Sequence, residues 1–490
     1  MAKQTPLLSH TGAGAQSITI GWEDFIKGIS TTDKVSDGGF SPNSYNINLL
    51  PQVGEISSTA SPTEYVSFSG TYTGLCATCP NVDIGGVSGK AVRGITTLGD
   101  FYSGTSAGAW TTPVTDSTNT YQSGFSDMVS FNGKYYASSH NAATGDNVCS
   151  WDGVTTIVVD WFHTNFSNYL SLNCPHPMLV FNNYLYIADG NKLHRYDPLS
   201  SSPDTYHYAQ LAIDSDAVIT SLAIDPNSGR MMVGYCQVWQ NATYPTHSNV
   251  GLYDGENPAK FVKLVPMDDI VHTMFSVGGT VYIVYGNTLG IWNGAGVTFL
   301  RTLASGSFTH KQTIMNIGND IYFHDNGYIY CYTELKGLDK KVFFTFYKNV
   351  TGQNLQTLFN LNNKSLISFS NIDGSNLYHL WKLDVSAVGS QSQLGLFYSN
   401  WYYFPRPVYV RAIDFTTDGL LTSGDTMTPS INDDMGNNIA FIPGALTVSN
   451  TTQTNRMTTD TNPTTCFQFV LTMTSVKPFR RATVYYDLAE

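Results

Sequence analysis

The sequence predicts an all-β fold of the β-propeller type, on the basis of its composition, a recurring turn and a recurring aromatic residue. Charged residues make up 13% of the chain, which is about half of the usual quarter. The 490 residues include 30 Tyr, 26 Phe and 43 Gly. Because aromatic residues favour strands and glycine favours turns, this composition is typical of a β-rich protein with many turns.

A short pattern recurs six times between residues 124 and 400. An apolar run meets a tight turn, a second apolar run follows, and an aromatic residue comes beside or a few positions before an Asp, Asn or Glu. The turns are Asn132-Gly133, Asn182-Asn183, Asn227-Ser228-Gly229, Gly278-Gly279, Gly318-Asn319 and Asn362-Asn363, and the aromatic residues are Trp151, Tyr196, Tyr253, Trp292, Tyr330 and Trp381. Successive aromatic residues are 45, 57, 39, 38 and 51 positions apart, which is the length of one propeller blade.

The best-defined copies each contain two hairpins and therefore the four strands of a blade. In one copy, Met128–Phe131 and Lys134–Ala137 flank an Asn-Gly turn, and Val148–Gly153 is followed by Thr155–Trp161. A less regular copy over residues 91–122 favours seven blades within residues 91–404. We expect the recurring aromatic rings to fill the wedge between neighbouring blades.

The two ends of the chain depart from this pattern. Residues 1–90 are rich in Gly, Ser, Thr and Pro, with one short helical piece at Trp22–Lys27. They are predicted to form an extended N-terminal arm or cap that lies over another surface, its own or a neighbour's. Residues 405–490 are predicted to form a small C-terminal β-sandwich, and the alternative is that their strands complete the ring and close it.

Charge and cysteine content exclude several classes of function. The net charge is −12, with 37 acidic and 25 basic residues and no basic run. Tight binding to nucleic acid is therefore not expected, although an acidic surface is compatible with lining a conduit for DNA. The seven cysteines are odd in number and lie mostly in apolar runs, which indicates free thiols. No apolar run of membrane-spanning length and no signal peptide is found, so we expect synthesis in a cytoplasm and no membrane association.

Three motifs suggest chemistry, and each has a simpler explanation. Cys76 and Cys79 have CxxC spacing, but no second CxxC or CxH pair follows at zinc-finger spacing. Ser430–Gly436 resembles in part the Asp-box turn of sialidases and related propellers, and a polar turn is the preferred interpretation. Asp268 and Asp269 are adjacent, so on a strand their carboxylates would point to opposite faces and could not act as a glycosidase pair.

The sequence therefore predicts no enzyme and no catalytic, cofactor-binding or metal-ligating residue. The eleven histidines show no metal-ligand spacing; among them, His163, His176, His194 and His207 each stand apart. The insertion around residues 237–248 is the most site-like loop. It either contacts a partner through Trp239, Tyr244 and His247 or folds back on its own blade, and stacking of its aromatic rings on a sugar is a third alternative.

The opening of the chain carries a family resemblance. Trp22–Asp33, Gly38–Leu49 and Pro51–Gly54 contain a Phe-x-x-Gly-Ile sequence, an Asn-x-Asn sequence and a Pro-x-x-Gly sequence in that order. This opening resembles the start of virion proteins of tailed bacteriophages in which a β-propeller follows. Tail tubular, nozzle-type proteins of short-tailed phages are the best-known group with this layout. The resemblance covers the first 55 residues or so and the general architecture, and this chain is shorter than typical nozzle proteins.

The resemblance implies a non-enzymatic structural subunit of a virion, made in the host cytoplasm and present in several copies about the tail axis. Its partners would be other virion proteins of the tail, neck or portal region, and copies of itself. A second hypothesis is a receptor- or glycan-binding propeller of a phage tail or fibre that recognises a host-surface glycan. A third is a glycoside hydrolase.

Overall fold

The computed structural model describes the chain apart from residues 1–6, 9–15, 26, 29–38, 42, 51–54, 69–74, 81–89, 97–98, 106–109, 120, 122–125, 141–144, 173, 201–204, 238–247, 257–259, 304–310, 326, 336–339, 349–353, 361–365, 373–377, 387–388, 448–451 and 490. The chain divides into two units. The propeller unit comprises Thr63–Gly327 and Val350–Lys382, and the sheet unit comprises Met1–Pro62, Tyr328–Asn349 and Leu383–Glu490. The predicted division at residues 90 and 404 therefore differs from the observed one, because residues 63–90 belong with the blades and residues 383–404 with the C-terminal strands.

The first elements of the chain lie in the sheet unit. They are β1 (Leu7–Leu8), β2 (Gln16–Ile20), α1 (Trp22–Phe25), β3 (Ile47–Leu50) and β4 (Glu55–Ser58). Helix α1 falls where the sequence predicts a helical piece. Its Asp24 carboxylate accepts the N–H of Gly21 at 3.1 Å, which is the return half of a capping box. Phe25 is buried, with its ring 5.5 Å from that of Phe397 and 5.7 Å from that of Phe479.

The propeller unit begins with β5 (Thr63–Phe68) and continues with five sheets of four consecutive antiparallel strands. The first two sheets contain β6 (Leu75–Pro80), β7 (Lys90–Thr96), β8 (Asp100–Thr105) and β9 (Trp110–Thr115), then β10 (Met128–Phe131), β11 (Lys134–Ser139), β12 (Asn147–Trp151) and β13 (Ile157–Val158). The predicted strand Thr155–Trp161 is only two residues long here, and helix α2 (Trp161–Phe166) follows it. Trp161, Phe162 and Phe166 are buried on one side of that helix, which gives it the apolar face of an amphipathic helix.

The next three sheets follow the same order. They contain β14 (Met178–Phe181), β15 (Tyr184–Asp189), β16 (Lys192–Tyr196) and β17 (Tyr206–Ala212); β18 (Ala217–Asp225), β19 (Arg230–Gln237), β20 (Ser248–Tyr253) and β21 (Lys263–Met267); and β22 (Val271–Val277), β23 (Thr280–Tyr285), β24 (Thr288–Trp292) and β25 (Val297–Thr302). In the described part of the chain, no helix is long and apolar enough to cross a membrane.

The ring is closed by strands from distant parts of the sequence. After a 3₁₀ turn at Lys311–Thr313 come β26 (Ile314–Ile317), β27 (Asp320–Asp325), β28 (Tyr328–Leu335) and β29 (Lys340–Lys348), and then β30 (Asn354–Asn360), β31 (Leu366–Ile372) and β32 (Tyr378–Asp384). Strand β32 pairs with β5, with Leu380 opposite Val66. The N-terminal side of the chain therefore supplies the closing strand, and the alternative that residues 405–490 close the ring is wrong.

Six complete blades belong to the propeller unit: the five consecutive sheets and the sheet β30-β31-β32-β5, whose strand β32 runs two residues past the unit boundary. A further four-stranded sheet, β26–β29, is divided between the two units. The β-propeller class is thus confirmed, and the seven blades predicted for residues 91–404 are corrected to six complete ones. The sequence repeats indicate where strands lie. Which strands belong to the same structural unit depends on tertiary contacts that the repeats do not encode.

Three of the six recurring aromatic residues are buried as the sequence predicts, and the other three, Tyr196, Tyr330 and Trp381, are half-buried. Trp151 on β12 is buried, and its ring lies 5.3 Å from that of Phe101 on β8 of the preceding blade. Tyr253 and Trp292 are buried in the same way at the ends of β20 and β24. Truncating such a ring to alanine typically costs about 3–5 kcal/mol, so each is a major contribution to blade stacking.

The C-terminal strands share one sheet with the N-terminal ones. They are β33 (Ser390–Tyr398), β34 (Tyr402–Thr417), β35 (Thr426–Asp433), β36 (Asn438–Ala440), β37 (Thr454–Thr458), β38 (Thr464–Ser475) and β39 (Phe479–Leu488). Together with β1–β4 they form an 11-stranded sheet with the main order β1-β2-β39-β34-β38-β35-β36. Of the strands in the predicted N-terminal arm, β2 and β4 pair with this chain's own last strand, β39, whereas β5 and β6 belong to the propeller unit. Residues 405–490 are not a separate sandwich, because they share this sheet.

Candidate functional site

The first strands of the sheets surround a central cavity of about 710 Å³ within the propeller unit. Its lining comes from β6, β10, β14, β18, β22, β26 and β30, together with Lys311 of the 3₁₀ turn. A cavity of this size falls in the range of small-molecule sites. We call it the axial cavity.

The wall of the axial cavity is mostly aliphatic. Among its described lining residues Lys311 is the only charged one, and the polar remainder consists of a few Ser, Thr, Asn and Cys side chains. Lys311 Nζ donates to Asp127 Oδ2 at 2.9 Å and to the Met178 carbonyl oxygen at 3.3 Å. The lysine charge is therefore neutralised by a neighbouring carboxylate. Such a wall offers neither the pair of carboxylates needed by a glycosidase nor the many polar groups that a glycan requires.

A second candidate is a buried group of ionisable side chains, which we call the Cys-His-Asp cluster: Cys174, His176 and Asp189. Cys174 and His176 lie in the connection that leads into β14, and Asp189 ends β15. The three residues are 4%, 2% and 3% exposed. One sulfur, nitrogen or oxygen ligand atom from each lies within 4.8 Å of the others.

His176 is held at both ring nitrogens. Its Nε2 lies 3.0 Å from Asp146 Oδ2, and its Nδ1 lies 3.1 Å from the carbonyl oxygen of Ala188. Asp146 Oδ1 is in turn 2.5 Å from Nδ1 of His140. A carbonyl oxygen can only accept a hydrogen bond, so the contact with Ala188 places a proton on Nδ1, while Nε2 faces the Asp146 carboxylate.

Asp189 is fixed by hydrogen bonds from two directions. It accepts the Ser171 N–H at 2.6 Å and faces His194 Nε2 at 3.3 Å. Because His194 Nδ1 accepts the Ala209 N–H at 2.9 Å, its proton sits on Nε2 and points at Asp189. Burial alone would raise the pKa of Asp189, but the His194 and Ser171 hydrogen bonds and the nearby His176 hold it at about 2. Burial, reinforced by the Asp189 charge, raises the pKa of the Cys174 thiol to about 12.

The structure describes some of the residues that the sequence analysis selected and not others. Trp239, Tyr244 and His247 lie outside the described residues, so the partner-contact loop stays a prediction. Cys76 and Cys79 are both buried on β6, and burial raises the pKa of Cys79 to about 11. In the part of the chain that the structure describes, neither belongs to a cluster of potential metal ligands.

The two acidic motifs hold turns together. Asp269 lies between β21 and β22, where its carboxylate accepts the Ile270 N–H at 2.7 Å. Asp433 of the Asp-box-like segment accepts the N–H groups of Met435 at 3.0 Å and Asn437 at 2.8 Å. The second geometry agrees with the interpretation of Ser430–Gly436 as a polar turn. Asp268 and Asp269 lie in the connection between β21 and β22, so the argument from opposite faces of a strand does not apply to them.

The Cys-His-Asp cluster was missed because the histidines were considered one at a time. The available signal was local: Cys174-Pro175-His176 places two ligand types two positions apart, just before a strand. Asp189 lies thirteen residues after His176, at the far end of the hairpin that β14 begins. Recognising the cluster from sequence requires the hairpin register, which returns the end of β15 to the start of β14.

The comparisons with known proteins find similar solved structures but no family. No protein-family model and no curated protein matches the chain. Similar solved structures include the WD40 β-propeller domain of Doa1, with 10% identity, a TM-score of 0.41 and coverage of 66% of this chain and 96% of that one. They also include YCF48 bound to D1 peptide, with 12% identity, a TM-score of 0.41 and coverage of 65% of this chain and 94% of that one. A third is a putative glucose dehydrogenase oxidoreductase from Thermus thermophilus, with 12% identity, a TM-score of 0.37 and coverage of 66% of this chain and 99% of that one. Likenesses this distant carry no argument, and the assignment of the chain as a β-propeller protein rests on its own four-stranded blades.

Proposed function

We propose that this protein is a non-enzymatic structural subunit of a bacteriophage virion, placed in the tail, neck or nozzle region, where it acts as an assembly scaffold. The proposal rests on the family resemblance of the opening segment. What the structure adds is that described parts of this segment, α1 and β3, belong to the sheet unit together with the last strand of the chain.

The observation that carries the scaffold role is a pair of exposed apolar side chains on the sheet unit. Tyr403 is 64% exposed and Met435 is 77% exposed. Tyr403 pairs with Cys466, and Asp433, two residues before Met435, pairs with Phe467, so the two residues belong to segments that flank the same end of β38. Exposed large apolar side chains are candidates for protein–protein contacts. We call Tyr403 and Met435 the contact pair.

The ionisable groups of the Cys-His-Asp cluster and of the axial cavity are engaged within the chain, which is consistent with a protein that acts through contacts with partners. The Cys-His-Asp cluster is enclosed, and its carboxylate is engaged by hydrogen bonds. The charged group of the axial cavity is neutralised within the chain. The remaining hypotheses, a receptor- or glycan-binding propeller and a glycoside hydrolase, would need polar groups that converge on an open surface.

Quantitative mass spectrometry of purified virus particles tests the proposal. We expect the chain in washed particles at a fixed number of copies per particle, together with tail or portal proteins. Its absence from the particles would contradict the proposal. Binding of the isolated protein to a glycan array would favour the receptor hypothesis, and turnover of a surface polysaccharide would favour the hydrolase.

A further inference from the structure

We propose that Cys174, His176 and Asp189 form a structural zinc site that fastens the connection before β14 to the end of β15. This inference is independent of the proposed function, and it runs against our sequence-based expectation of no metal ligand. It rests on the donor types, their enclosure, and the side chains that hold the donors in place.

The donor set selects the metal. One thiolate, one imidazole nitrogen and one carboxylate oxygen are the three ligand types that zinc uses in proteins. Magnesium and calcium prefer oxygen ligands alone, so a cysteine and a histidine in the same cluster argue against them. Three protein ligands leave the fourth position of a tetrahedral ion to a water molecule or a backbone carbonyl.

The spacing of the donors is close to that of a tetrahedral site. Zinc–ligand bonds of about 2.0–2.3 Å place the ligand atoms about 3.3–3.8 Å from one another. The three ligand atoms here lie within 4.8 Å. The side chains therefore have to close by at most about 1.5 Å, which adjustments of side-chain torsions can supply.

The surrounding hydrogen bonds match those that orient metal ligands. Metal-bound histidine usually donates its other ring N–H to a carboxylate, and ligating carboxylates are themselves hydrogen-bonded. His176 Nε2 already faces Asp146, at 3.0 Å, which leaves Nδ1 to take the ion in place of its contact with the Ala188 carbonyl oxygen. Asp189 already accepts the N–H of Ser171 and faces the protonated nitrogen of His194.

The proton balance is simple. Binding replaces the proton on the Cys174 sulfur with a sulfur–zinc bond, and that proton passes to solvent. His176 binds the ion through the lone pair of Nδ1 and keeps one proton on Nε2, where it donates to the Asp146 carboxylate. Asp189 is already a carboxylate. No electron is transferred, and the affinity should fall as the pH falls, as it does for other sites with a cysteine ligand.

The expected benefit is conformational stability. Pro175 and Pro177 lie on either side of His176 in the connection. An ion shared with Asp189 would tie this connection to the hairpin β14–β15. Because the ion binds the folded chain in preference to the unfolded one, the melting temperature should rise with the metal concentration.

The experiment uses the full chain, stripped with a chelator and titrated with Co²⁺ and then with Zn²⁺. We expect one equivalent of Co²⁺ with the visible absorption of a tetrahedral site and a near-ultraviolet thiolate-to-metal band, and displacement of both by Zn²⁺. A higher melting temperature should accompany the loading. Failure of the wild-type chain to bind one equivalent, or a spectrum without the thiolate band, would overturn the proposal.

Variants identify the ligands. Cys174→Ser should abolish the thiolate band and weaken binding by more than about 100-fold, and Asp146→Asn should weaken it by about 10–100-fold through the orientation of His176. The matched control is Cys236→Ser, since Cys236 is also a buried free cysteine but lies on β19, away from the cluster. If Cys174→Ser binds cobalt as wild type does, or if Cys236→Ser loses the band while Cys174→Ser keeps it, the assignment is wrong. If Cys174→Ser does not fold, the wild-type titration decides alone.

Discussion

His272 on β22 shows how a single side chain makes the stability of this fold depend on pH. Its ring is largely buried, and burial lowers its pKa to about 4, although the nearby Asp269 carboxylate acts in the opposite direction. In the unfolded chain a histidine titrates at about 6.5. Between these two values the unfolded chain binds the proton and the folded chain does not, so stability is lost as the pH falls from about 6.5 to about 4.

Replacing His272 with glutamine should therefore flatten the pH dependence of stability in that window. The expected size of the effect is about 2 kcal/mol, after allowing for the remaining exposure of the ring. Urea denaturation of His272→Gln and wild type at pH 7 and at pH 4.5 measures it. Equal losses of stability in the two proteins would show that His272 does not titrate as its burial implies.

Arg93 on β7 is buried, and its guanidinium makes no hydrogen bond to any residue that the structure describes. Its charge instead lies 5.3 Å from the ring centre of Tyr135 and 6.0 Å from that of Trp151. Two cation–π contacts offset only part of the cost of removing a charge from water. The arginine stem fills space between two blades, so its contribution is mainly one of volume.

Arg93→Met should consequently leave the free energy of unfolding unchanged or raise it by up to about 2 kcal/mol. Chemical denaturation is the appropriate measurement, and Arg481→Met, at an exposed arginine, provides the control. A loss of more than about 2 kcal/mol for Arg93→Met alone would mean that an anionic partner compensates the charge.

At the scale of elements, the closing strand β5 has the largest structural consequence. It supplies the fourth strand of the blade that contains β30, β31 and β32, and it comes from a position more than 300 residues away in the sequence. A propeller whose ring is closed by a distant strand gains cooperativity, because the first and last blades cannot separate without breaking this pairing.

Prolines in β5 test this closure. Neighbouring residues of a strand direct their N–H groups to opposite sides, so the double variant Val66→Pro/Ser67→Pro must remove at least one N–H that faces β32. We expect a loss of at least about 3 kcal/mol and a lower melting temperature. Val66→Thr/Ser67→Thr, which keeps both N–H groups, is the matched control. If the proline variant is as stable as the threonine variant, β5 does not close the ring.

Tyr403 lies near the start of β34 and Met435 in the turn between β35 and β36, so the contact pair is not part of the core. Tyr403→Ser/Met435→Ser should change the stability of the isolated protein by less than about 0.5 kcal/mol, since both side chains are exposed. Its incorporation into particles should nevertheless fall several-fold. The control is Leu199→Ser, at an 84% exposed leucine of the propeller unit. Unchanged incorporation of the double variant would remove the contact pair from the assembly surface.

The elements also explain what sequence reasoning could predict. The hairpin around Asn132-Gly133 was predictable because both residues adopt positive φ, at 44° and 75°, as its two-residue turn requires. The pairing of β5 with β32 was not, because nothing in residues 63–68 specifies a partner so far along the chain. The Cys-His-Asp cluster was missed for a related reason: Asp189 reaches Cys174 and His176 only through the hairpin register.

At the scale of the whole molecule, the net charge of −12 is the property that bears on contact with DNA. A strongly acidic protein repels DNA, which suits a subunit past which DNA slides without sticking. The axial cavity adds no free charge of its own, since the only charged group among its described lining residues is paired. These properties are consistent with a scaffold, and the proposed function is best tested on the virus particle itself.

A cryo-electron microscopy map of the purified virus particle tests the central claim most directly. We expect several copies of the chain arranged about the tail axis, each with recognisable density for the propeller unit and for the sheet unit. A map of the complete particle in which no density fits the propeller unit would contradict it.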